Sequence, residues 1–222
     1  VGIWRLNRFA VDPESERVAL ETRATAALAE RLQSEADELR QLAVHALDVP
    51  TSSDAAFAGV EELRDGNDSR AIAVARGGVL SAWAGHYLAP VDSLPGPVGV
   101  VATDFYLIMY AIAGRNADRA VASSLVHAEP PSEVLALAVD AELTAVYDLA
   151  GFIFTRPDPD GSPGGLVSAA GVPVLTVRAV ALGAPELQQR LSDRGRERGV
   201  AALALALILF LAATWRSGNL TE

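Results

Sequence analysis

The chain of 222 residues contains no cysteine. That absence excludes a disulfide framework, a cysteine zinc site and a thiol nucleophile. Lysine is missing as well, so all 18 cations are arginine. Arginine-only usage, beside abundant Ala, Gly and Pro, is the signature of a G- and C-rich, bacterial gene. Aromatics make up only 6% of the chain, and there is one methionine. No Walker-type glycine loop and no G-x-S-x-G elbow occurs. The histidines are His45, His86 and His127, and none has a second histidine at i+3 or i+4 to form a metal pair. Ser123 and Ser124 near His127 do not make a triad. Asp158-Pro159-Asp160-Gly161 starts like a calcium loop, but the position that needs an acid holds Ala169. The expectation is therefore a protein without catalytic residues, metal or cofactor. The net charge of −10 disfavours nucleic acid as a partner.

What the chain does have is a long apolar run. Residues 200–216 read VAALALALILFLAATWR, uncharged up to Arg216. At 1.5 Å per residue, about 17 helical residues span roughly 25 Å, near the lower limit for a membrane helix. Arg190, Arg194, Arg196 and Arg198 precede it, and Trp215 and Arg216 close it. Arg196, Arg198, Trp215 and Arg216 suit the headgroup layer on the two sides. The expected partner of this end is the lipid bilayer. Residues 1–12, with Trp4 and Arg5, read either as the exit of an upstream membrane helix or as a loosely packed terminus.

Between these ends lies the body of the chain. Asp12-Pro13 starts a helix, with Glu14 and Glu16 in its first turn. Val18, Thr25, Leu28, Leu32, Leu39, Leu42 and Ala46 recur in steps of three and four, interrupted by Glu21 and Glu35. This predicts a long amphipathic helix within 13–49, packed on its own domain or paired with a second copy. A short helix is expected over 54–64. Residues 71–75 and 79–83 around Arg76-Gly77-Gly78 predict a β-hairpin. Residues 98–113 read as one or two buried strands, and 121–126 as another. A helix is expected over 133–149, ended by Gly151. Strands follow at 152–154 and 172–180, separated by a polar loop over 157–165. An exit helix over 185–199 leads into the span. Strands joined through hairpins argue for an antiparallel sheet with helices on one side, an α+β domain over 50–184.

Asp104 is the odd residue of the 98–113 run. A carboxylate there must pair, face a cavity, or sit in solvent at a bend. With Tyr106 and Tyr110 beside it, it reads as one side of a small-ligand site. His86, beside Trp83, reads as a further lining residue. The candidate ligand set is Trp83, His86, Asp104, Tyr106 and Tyr110. His45 reads as solvated or interfacial, and His127, near a strand end, as structural.

The 14–47 helix, the hairpin AIAVARGGVLSAWAG (71–85), the strand over 171–180 and the helix over 186–198 leading to the span form one arrangement. It resembles the extracytoplasmic sensor region of bacterial sensor histidine kinases, of the Cache or PAS-like type. The resemblance implies a PAS-like antiparallel sheet flanked by helices. It also implies a role in signal transduction: binding a small ligand or partner outside the cytoplasm and relaying it through the helices. It implies a place in the bacterial inner membrane, with the soluble domain on the periplasmic side. The arginine collar on the domain side runs against the positive-inside rule, which weakens for long translocated domains. No binding residue carries over from the family. The alternative expectation is a single-span accessory subunit of a larger membrane complex, for example photosynthetic or respiratory, whose partners are other membrane-protein subunits.

Overall fold

A long helix, α1 (Pro13–Ala46), serves as the common support for two antiparallel sheets. The computed structural model describes residues 13–86, 94–129, 138–157, 164–183 and 186. The segments 1–12, 187–199 and 200–216 lie outside the described residues, and with them Trp4, Arg5, Arg196, Arg198, Trp215 and Arg216. Among the described residues no helix is long and apolar enough to cross a membrane.

Helix α1 follows from its apolar spacing. Ala24, Leu28, Leu32, Ala36, Leu39, Ala43 and Ala46 are fully buried, so one stripe of the helix faces the core. Burying each leucine is worth about 1.5–3 kcal/mol, enough to hold the helix without strong intrinsic propensity. The stripe starts later than the sequence spacing implies, because Val18 is half exposed. It packs on strands of its own domain.

Helix α2 (Ser53–Arg64) follows and ends where Asp65 takes the left-handed conformation. Strands β1 (Arg70–Arg76) and β2 (Val79–Ala84) form the expected hairpin. Its two-residue turn, Gly77-Gly78, has positive φ at both positions (55° and 82°), a backbone that twists with the strands and favours glycine. Arg76, at the end of β1, donates to the carbonyls of Leu47 and Val49 at 3.0 Å each and to Asp118 at 2.8 Å. This fastens the hairpin to the chain leaving α1.

The apolar 98–113 run is two strands, β3 (Val98–Ala102) and β4 (Tyr106–Arg115), and β5 (Asp118–Ala128) is longer than its sequence pattern. The first sheet has the order β2-β1-β5-β4-β3. Helix α3 (Val139–Tyr147) ends at left-handed Asp148, so β6 (Leu149–Thr155) begins before Gly151, the expected helix terminator. β7 (Gly165–Ala169) and β8 (Val172–Ala181) complete a second sheet, in the order β6-β8-β7. The α+β class holds. The single sheet is corrected to two, and β7 occupies residues adjoining the expected loop.

Candidate functional site

The five candidate ligand residues are not gathered into one pocket. Asp104 is exposed in the turn between β3 and β4, which corrects the cavity-facing reading in favour of the bend. Thr103 closes that turn: its hydroxyl accepts from the Phe105 and Tyr106 amides at 3.3 and 3.0 Å. His86 is exposed just past β2. Trp83 is 48% exposed on the edge strand β2, with Phe57 of α2 edge-on at 4.9 Å. Tyr106 packs on a small cluster of Ile108, Leu125, Ala128 and Ala138.

Tyr110 is fully buried. Its hydroxyl donates to the Pro95 carbonyl at 2.6 Å. It can reach because β3 carries Gly99 at the paired position: a Cβ there would lie 2.8 Å from the tyrosine oxygen. Burial pushes the phenol above its ordinary pKa. Tyr110 and Trp83 share the sheet face opposite α1, since Tyr110 pairs with Ser123, Ser123 with Ala71, and Trp83 with Ala73. Two strands lie between them, which sets β2 and β4 about 14 Å apart.

The constellation that the fold does assemble lies along α1. Glu35, which the sequence pattern marks as an interruption of the stripe, is fully buried. It receives both arms of the Arg70 guanidinium from β1, Nε at 2.7 Å and Nη2 at 2.8 Å. Arg70 Nη2 also donates to Glu38, and Arg31 lies 3.9 Å from Glu35. The hydrogen bond from Arg70 holds the Glu38 carboxyl below the usual carboxylate range. The same carboxylates push Arg70 further up, against its partial burial. This planar two-bond pairing fixes the helix against the five-stranded sheet in one register.

From about half a turn to about four turns earlier, at Gln33, Thr25 and Glu21, α1 grips the three-stranded sheet by a different device. Among the described residues, β8 has no β7 partner beyond Val177. There the amides of Ala179 and Ala181 donate to Thr25 Oγ1 at 2.9 Å and Glu21 Oε1 at 3.1 Å. Gln33 accepts from the Ser168 amide of β7 at 3.0 Å. Helix side chains thus take up strand amides of β7 and β8 directly. The polar positions Glu21, Thr25 and Glu35 are therefore anchors. Their only trace in the sequence is a polar side chain sitting in an apolar stripe.

Among the described residues no group of three or more His, Asp or Glu is placed to hold a metal ion. The chain matches no protein-family model, and it matches no curated protein. Among solved structures it is similar to the periplasmic domain of Vibrio cholerae LuxQ, at 10% sequence identity and a TM-score of 0.43, over 75% of this chain and 100% of that one.

Proposed function

We propose that this chain is a non-catalytic, membrane-anchored sensor-type domain of PAS-like build. It binds a small ligand or a partner outside the cytoplasm and relays that event through its helices. The observation that carries the reading is the double grip of α1. One helix holds the five-stranded sheet through Glu35–Arg70 and the three-stranded sheet through Thr25 and Glu21. A shift of either sheet therefore acts on the same rigid rod. The exposed Trp83 on β2 is the candidate residue best placed to meet a ligand or partner directly.

A double-mutant cycle tests the relay. Glu35→Gln loosens one grip and Thr25→Val the other. Ten residues of helix separate them by about 15 Å, beyond the range at which independent sites interact. The expected outcome is a non-additive loss of stability in denaturant unfolding of the full chain, by at least about 0.5 kcal/mol. Strict additivity would show that α1 does not couple the sheets. Additivity together with purification in fixed stoichiometry with other membrane subunits would replace the sensor reading by the accessory-subunit one.

A further inference from the structure

His127 stands where the two sheets meet. It lies near the end of β5, opposite Leu107 of β4. Its Nδ1 is 2.6 Å from Oδ2 of Asp140, in the first turn of α3. Its ring lies 5.3 Å from that of Phe154 on β6, tilted by 41°. One imidazole thus touches the five-stranded sheet, the connecting helix and the three-stranded sheet.

Asp140 is only 4% exposed. The N-cap of α3, Ala138, offers no side-chain cap, so this carboxylate also serves the positive end of the helix dipole. The charged groups facing His127 are Asp140 from α3 and Glu129 just past β5, 3.8 Å from Nε2. β4 and β6 present Leu107 and Phe154, which carry no charge.

We propose that His127 and Asp140 form a proton-operated clasp between the two sheets, closed when the imidazole is charged and loosened when it is neutral. A buried carboxylate is strongly compensated by a cation at 2.6 Å. Against a neutral ring it keeps one hydrogen bond and loses the opposing charge, which favours moving it toward water. The direction in pH follows. The hydrogen bond to Asp140 raises the affinity of His127 for its proton, more than burial lowers it. A group raised in the folded state stabilises fully below its unfolded value, about 6.5 for histidine. That contribution is lost as the pH rises through the higher folded value. The joint is therefore tight in mild acid and looser on the alkaline side. The clasp does not depend on what the domain binds, so its failure and that of the sensor reading are separate results.

The test uses the full chain in detergent micelles. Because the protein has no cysteine, Val79→Cys and Val172→Cys, both at exposed positions, give a unique spin-label pair spanning the two sheets. Inter-label distances are measured between about pH 5 and pH 8, where histidine changes charge. The ring signals of the three histidines are followed in parallel and assigned by replacing each with Gln. The clasp requires His127 to titrate above the ordinary imidazole range. It also requires the distance distribution to broaden with the same midpoint. His127→Gln should leave the distribution broad at every pH, and Asp140→Asn should lower the His127 midpoint. A distribution that ignores the His127 titration, or a pH response that survives in His127→Gln, overturns the proposal. Should either variant fail to fold, the two midpoints in the unsubstituted pair decide: coincidence supports the clasp and separation overturns it.

Discussion

At the residue scale, the chain uses small exceptions to fix large features. Gly99 is one. Tyr110 lies over it to reach Pro95, and the hydroxyl satisfies a buried polar atom that would otherwise cost about 1–3 kcal/mol. Gly99→Ala places a methyl 2.8 Å from the tyrosine oxygen and 3.2–3.3 Å from the ring. The expected loss is about 1–3 kcal/mol, because the side chain must leave its position in a packed core. Urea unfolding of Gly99→Ala and of Gly99→Ala/Tyr110→Phe checks the cause. If the clash with the hydroxyl dominates, the double variant is destabilised by clearly less than the sum of its parts, whereas additivity would place the cost elsewhere. Trp83 and Tyr110 show a limit of reading residue types: both are aromatics on strands, yet one is half exposed and the other fully buried. The difference lies in the strand order, since β2 is at the edge and β4 is inside.

At the element scale, α1 is the part most legible in the sequence. Steps of three and four predict its length to within a residue or two. The extent of its buried face is a finer matter. Leu32 is fully buried and Val18 is half exposed, although the spacing treats them alike. Leu32→Ala is expected to cost about 2–5 kcal/mol. Val18→Ala is expected to stay within about 0.5 kcal/mol. Thermal or urea unfolding of the two variants separates them, and equal effects would mean that the stripe packs elsewhere. The hairpin was legible through Gly77-Gly78 between two apolar runs. β7 was not: five residues, Gly-Leu-Val-Ser-Ala, carry too little alternation to stand apart from a glycine-rich loop.

At the scale of the whole molecule, the two sheets share one helix, and the polar contacts sit at the points of attachment. Arg70 meets Glu35 across 35 residues of sequence, and Ala179 meets Thr25 across 154. The apolar run at 200–216 lies outside the described residues, and its expected role is testable. The full chain is expected to float with phospholipid vesicles, and Leu207→Arg/Leu209→Arg to release it. Each arginine at the middle of a span costs about 2.5–3.5 kcal/mol on insertion scales. Flotation that is unchanged by both arginines would show that residues 200–216 do not anchor the chain in the bilayer.

By itself, the sequence determined the α+β class, the long helix and the hairpin, because each rests on contacts between near neighbours along the chain. It also marked Glu21, Thr25 and Glu35 along the long helix, but neither their roles nor their partners Arg70 and Gln33. Glu35 reads as a flaw in an apolar stripe until β1 brings Arg70 to it. His127 reads only as a structural residue near a strand end until α3 brings Asp140 to its Nδ1. The division of the eight described strands into two sheets was decided only in three dimensions. β1 carries five consecutive buried residues and pairs with β5 rather than with the strand that follows its hairpin. A strand covered on both faces has no alternation to reveal its partner. Pairing was set instead by which distant segments could bury apolar surface together against α1.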